Sequence, residues 1–141
     1  MIAALNQRLE QSKAPVMPRA KTIVVSGASG LVGSALSQAI GDRQWNQRRL
    51  VRRSSANDRG DGISWNPESG LLNFTGFSGT DAVVHLAGEN IASGRWTAAE
   101  KLRIRDSRLI GTQRLCKSLA SMPNPPRVLV CASASQMIRT F

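Results

Sequence analysis

Three glycines, Gly27, Gly30 and Gly33, are the residues of this chain whose spacing could serve chemistry. They follow an apolar, β-branched run (Ile23, Val24, Val25) and lead without a gap into an amphipathic series of Leu31, Val32, Ala35 and Leu36. A strand, a tight turn and a helix start in that order present backbone amides, and the positive end of a helix, to a phosphate. Glycine lets the main chain approach a pyrophosphate closely and lets the helix pack against the strand. The spacing is G-x-x-G-x-x-G, not the G-x-G-x-x-G of ordinary dehydrogenases, and the flanking strand and helix give it meaning. A dinucleotide site is therefore expected at Gly27, Ser29, Gly30, Leu31, Val32 and Gly33, with main-chain amides rather than side chains making the contacts.

The end of the next strand selects the nicotinamide cofactor. A site for NAD places Asp or Glu there, to accept from the ribose 2′-hydroxyl. This chain has Arg52 and Arg53, with Ser54 and Ser55 behind them. A guanidinium fork pairs with phosphate oxygens, so NADP is expected in preference to NAD. Farther on, the apolar run Ala82-Val83-Val84-His85-Leu86 ends in Ala87-Gly88. In an open α/β sheet the carboxyl ends of the strands face the ligand crevice, so Leu86, Ala87 and Gly88 are expected to leave room for adenine and ribose. His85 falls inside the strand, where a packed, hydrogen-bonded ring is the expectation rather than a catalytic one.

Composition narrows the alternatives. The chain has 141 residues, 41% of them hydrophobic and 20% charged, which suits one globular domain. No apolar run approaches the roughly 18 residues of a membrane span. Nineteen Lys and Arg against nine Asp and Glu give a formal charge of +10, but the bases are scattered and aromatics are only 4%. A base-stacking surface is not expected, and nucleic acid is not the expected partner. His85 is the lone histidine, and Cys116 and Cys131 form no C-x-x-C, so no metal site is expected. The two cysteines read as buried thiols in a reducing, cytoplasmic setting.

Stepping outward, residues 1–20 read as a loose leader, 21–134 as the nucleotide-binding domain and 135–141 as a divergent tail. The pattern predicts a strand from Lys21 to Ser26 and a helix from about Leu31 to Ile40, ended by Gly41 and Asp42. It predicts strands at Arg48–Arg52 and Gly62–Trp65, with a turn-rich stretch between, and an irregular segment from Glu68 to Gly79. The strand Ala82–Leu86 reads as buried on both faces. Thr97-Ala98-Ala99-Glu100 is a capping box, and Leu102, Leu109, Leu115, Leu119 and Met122 suggest a long helix up to the prolines at 123, 125 and 126. A last strand covers Arg127–Cys131. Strands alternating with helices imply βαβ units and an α/β, Rossmann-like, three-layer parallel sheet.

The blocks GASGLVGSAL, LVRRS, ISWNPESG, VVHLAGENIASGRWTAAEKLRIRDSRLIGTQRL and PPRVLVCASA together resemble the N-terminal half of an extended short-chain dehydrogenase/reductase. More narrowly they are similar to the SDR39U1-like (SulA-type) epimerase family. The resemblance spans about Lys21 to Ala134, and its most specific part is AGENI…GRW…RIRDSR. It implies a Rossmann fold, an NADP cofactor, and epimerase or oxidoreductase chemistry. Where that family often has W-D-P near the adenine, this chain has Trp65-Asn66-Pro67, and Asn66 retains an acceptor there. The resemblance also marks Ser133 as the serine that would polarise a substrate carbonyl. Its proton-donating Tyr, with a Lys four residues on, has no counterpart, because the chain contains no tyrosine. The expectation is a partial domain, cut after the strand at 127–131, that binds NADP without turnover. A nucleotide-sensing or partner-binding module is the alternative, and self-association through the exposed sheet edge is expected in either case.

Overall fold

The computed structural model describes residues 19–52, 62–70, 72–88 and 97–132. Arg53, Ser133, residues 1–18 of the leader, the tail and residues 53–61 lie outside the described residues. The chain builds a five-stranded sheet in the order β3-β2-β1-β4-β5, with every pairing parallel. The strands are β1 (Thr22–Ser26), β2 (Asn46–Arg52), β3 (Ile63–Trp65), β4 (Ala82–His85) and β5 (Val128–Cys131). Helix α1 (Leu31–Asp42) connects β1 to β2, and helix α2 (Ala98–Ala120) lies between β4 and β5 in sequence.

The two faces of β1 explain its unbroken apolar run. Val24 points into a core with Leu50, Ile63, Trp65, Phe77 and Val83 beneath Leu115 and Leu119 of α2. Ile23 and Val25 point the other way, against Ile40 and Leu36 of α1. A strand covered on both faces has no solvated side on which to alternate. The strand order also fixes the site. From β1 the chain crosses to β2, and from β4 to β5, in opposite directions, which leaves a crevice between the carboxyl ends of β1 and β4.

Several sequence expectations are corrected. Gly41 and Asp42 do not end α1 but complete it; the chain turns at Gln44, with φ +54°, where Trp45 N donates to Ile40 O at 3.2 Å. Strand β2 starts two residues early, because Asn46 and Gln47 extend the pairing to Thr22 and Ile23 while Gln47 Nε2 donates to Ser37 Oγ of α1 at 2.8 Å. The segment read as irregular contains a 3-10 turn at Phe74–Phe77, capped by Asn73 and closed by Arg48 donating to the carbonyls of Gly76 and Ser78.

Helix α2 departs most from its apolar spacing. Leu115, Leu119 and Met122 are buried, but Leu102 and Leu109 are more than half exposed. At about 100° per residue, positions 102 and 109 fall about 140° and about 120° around the helix from 115, so the five do not form one stripe. The same geometry exposes Cys116, next to Leu115 in sequence but off its face; Cys131, at the end of β5, is half-buried. The capping box forms in half: Thr97 Oγ1 accepts from Glu100 N at 3.2 Å, while Glu100 Oε2 takes Arg103 at 2.8 Å.

Candidate functional site

Gly27 and Gly33 are glycines for different reasons. Gly27 has φ +70°, and a Cβ there would sit 2.9 Å from Ala87 N, so the exit of β1 lies directly against the exit of β4. Gly33 has no unusual φ, but a Cβ would come 2.1 Å from Gly27 O and 2.7 Å from Ala28 Cα, so its absence lets α1 seat on the loop. Gly30 N donates to Gly27 O at 3.1 Å, closing the turn. The first intrahelical bond is Ser34 N to Gly30 O at 2.8 Å, and Gly30 supplies no side-chain cap. The amides of Leu31, Val32 and Gly33 therefore face outward with no helical acceptor, as an anion requires. Leu31 and Val32 are 91% and 65% exposed, and Ser29 is exposed beside them.

Leu86, Ala87 and Gly88 follow β4, half-buried, across the crevice from this turn. Arg52 is exposed at the carboxyl end of β2, on the same side of the parallel sheet. Asn66 ends β3, but its Oδ1 already accepts from Glu68 N at 2.8 Å and Ser69 N at 3.2 Å. The acceptor expected near an adenine is thus engaged in holding its own turn.

Two residues of the crevice escaped the sequence reading. Ser26, the last residue of β1, has its Oγ 2.7 Å from His85 Nδ1, 3.1 Å from Leu86 N and 3.2 Å from Ala87 N. Arg108 of α2 lies over Gly88, where a Cβ would meet its guanidinium at 3.0 Å. A period-2 or period-3.6 pattern carries no signal for either contact, since both join positions distant in sequence. Beside Arg108 a cavity of about 690 Å³ opens, lined also by Arg105, Thr112 and Cys131. Burial pushes the Cys131 thiol up, with a smaller push from Cys116. Burial also holds His85 below its usual range. Among the described residues no His, Cys, Asp and Glu cluster could hold a metal ion, and no helix is long and apolar enough to cross a membrane.

Residues 23–138 match the NAD dependent epimerase/dehydratase family. The chain belongs to that family. It is 42% identical over 98 residues to the epimerase family protein Mb2239 of Mycobacterium bovis, covering 70% of this chain and 32% of that protein. It is 36% identical over 110 residues to the epimerase family protein SDR39U1 of Bos taurus, covering 77% of this chain and 35% of that one. The crystal structure of human SDR39U1 (isoform 2) with NADPH is similar at a TM-score of 0.63 and 30% identity, covering 81% of this chain and 37% of that chain. The nucleoside-diphosphate sugar epimerase of Corynebacterium glutamicum is similar at a TM-score of 0.59 and 28% identity, over 82% of this chain and 23% of that one. This member of the epimerase/dehydratase family thus spans about a third of the length of the curated relatives it matches.

Proposed function

We propose that this chain binds NADP(H) in the crevice between the exits of β1 and β4, as the nucleotide-binding part of an SDR39U1-like epimerase or oxidoreductase. The reading rests chiefly on the Gly27–Gly33 turn, where Gly27 and Gly33 leave no room for a Cβ and the helix amides are left without acceptors. The pyrophosphate would lie on the amides of Leu31, Val32 and Gly33, and the adenosine half beside Leu86, Ala87 and Gly88. The cofactor, when bound, supplies a hydride carrier. Arg52, with Arg53, would face the 2′-phosphate and favour NADP over NAD. Support for the phosphate also comes from human SDR39U1, a structure described with NADPH.

The composition of these 141 residues supports binding without turnover by this stretch. None of the 141 residues is a tyrosine, and the loss of a general acid lowers a rate by about 10²–10⁴-fold. Ser133 would then be a vestige of the reactive site. The free thiols at Cys116 and Cys131 suit a reducing, cytoplasmic setting.

The test is a titration of the 141-residue chain with NADPH and NADH, followed by tryptophan fluorescence. NADPH should bind about tenfold more tightly, the worth of one charge-assisted contact. Arg52→Glu should erase or reverse that ratio. An equal response to both nucleotides removes the argument from Arg52, and no response to either removes the site.

A further inference from the structure

Ser26 and His85 share a buried hydrogen bond whose direction is assigned from the donors around it. A serine hydroxyl has one proton to give and two lone pairs to fill. Here Oγ accepts from Ala87 N at 3.2 Å and from Leu86 N at 3.1 Å, an amide that it shares with the Ser26 carbonyl at 3.2 Å. Its proton therefore goes to His85 Nδ1 at 2.7 Å, and the ring is the neutral tautomer with its hydrogen on Nε2. That Nε2 has no hydrogen-bond partner among the described residues, and the His85 and Trp65 rings meet in a T-shaped arrangement, 5.5 Å between centroids at 77°. Ser26 is 1% exposed and His85 3%, so water cannot substitute for any of these partners without opening the site.

The two amides that Ser26 holds belong to the segment facing the glycine turn, and Gly27, the next residue, lies 2.9–3.2 Å (as a Cβ) from the same Leu86–Ala87 peptide. We infer that His85 is a positioning residue for the dinucleotide: by accepting the Ser26 proton it fixes both amides and the width of the crevice, and a proton added to His85 loosens them. The inference rests on the nucleotide-binding reading above. A protonated ring would turn an N–H toward Ser26 Oγ, where both amides already point, so the Leu86 amide would fall back on the Ser26 carbonyl or the Ala87 amide would be displaced. Among the described residues no carboxylate bonds the ring to offset this. Ser26 comes from β1 and Trp65 from β3; β5 brings Cys131 opposite His85 with its thiol held protonated; and α2 brings Arg108 over Gly88.

The experiment measures NADPH dissociation constants of the full 141-residue chain at about pH 7.5 and about pH 5.5, for wild type, Ser26→Ala, Ser26→Thr and His85→Asn, with circular dichroism confirming the fold of each. Ser26→Ala should weaken binding about tenfold at both pH values, the scale of leaving buried donors unmade, and Ser26→Thr should restore it. Wild type should lose affinity on acidification more steeply than His85→Asn, which keeps an acceptor that does not titrate in this range. Titration of the 2′-phosphate itself is common to both proteins and cancels in that comparison. Equal affinity of wild type and Ser26→Ala, or identical acid losses in wild type and His85→Asn, overturns the inference while leaving nucleotide binding in place. Absence of NADPH binding by wild type overturns both. Should Ser26→Ala unfold, the His85→Asn profile alone decides.

Discussion

Gly33 and Gly41 stand on the same helix and show why residue type alone is a poor guide to constraint. A methyl at Gly33 would land 2.1 Å from the Gly27 carbonyl, against backbone that cannot swing aside, whereas a methyl at Gly41 meets nothing within 4 Å. Gly33→Ala should cost about 1–3 kcal/mol in urea unfolding, the usual penalty of overpacking, and abolish NADPH binding. Gly41→Ala should stabilise by about 0.5–1 kcal/mol, by removing a glycine from a helix interior. A neutral Gly33→Ala would mean that α1 does not seat on the loop as described. The glycine turn was fully legible in the sequence because its flanks declare it. Ser26 was not, because its role comes from partners 59 to 61 positions away.

At the scale of elements, α2 teaches the more general point. A list of leucines gave its length, but only phase gives its face: Gly111, Leu115 and Leu119 turn inward, and Leu102 and Leu109 do not. The starts of β1 and β4 are joined by a device that no pattern announces. Asp81 accepts from Thr22 N at 2.8 Å and from Arg19 at 2.7 Å, while its own amide donates to Thr22 O. The Thr22 amide, followed by the nearby cations, holds the Asp81 carboxyl below its ordinary 3.8. The folded chain thus binds that proton less readily than the unfolded one, so this stability is whole above about pH 3.8 and is lost as pH falls through the folded value. His85, held neutral by burial, acts in the same sense from a higher start. The unfolded ring takes up a proton near 6.5 that the folded ring refuses, so stability declines as pH drops below 6.5 until the folded pKa is passed. Melting temperatures should therefore fall in two stages from about pH 7.5 to pH 3, and His85→Asn should lack the first. A wild-type melting temperature that stays flat between pH 7 and about pH 5 would refute the buried-histidine stage.

The chain carries a formal charge of +10, and β5 is the last strand of the sheet among the described residues. Among the described residues strand β5 pairs with β4 alone, and Val128 and Val130, in register with Ala82 and Val84, are each 50% exposed. An apolar edge with unpaired amides is a template for another strand, so we propose self-association there. Sedimentation should show a concentration-dependent oligomer, and Val130→Lys should weaken it by about tenfold or more through charge placed on the edge. A monomer at every concentration, with wild type and Val130→Lys alike, would refute it. The net charge works against association through self-repulsion, so added salt should strengthen the oligomer.

The sequence by itself determined the order of strands and helices, the glycine turn and the family, because each of these is written in neighbouring residues: a β-branched run, three glycines at fixed spacing, a capping threonine. The tertiary structure decided what depends on residues far apart. It placed Ser26 between His85 and the Leu86–Ala87 amides, laid Arg108 over Gly88, engaged the Asn66 acceptor in its own turn and turned Cys116 to solvent. Local pattern reports propensity and period. Which side chain meets which is set by the packing of helices on a sheet, where a rotation of about 100° per residue separates a core position from an exposed one.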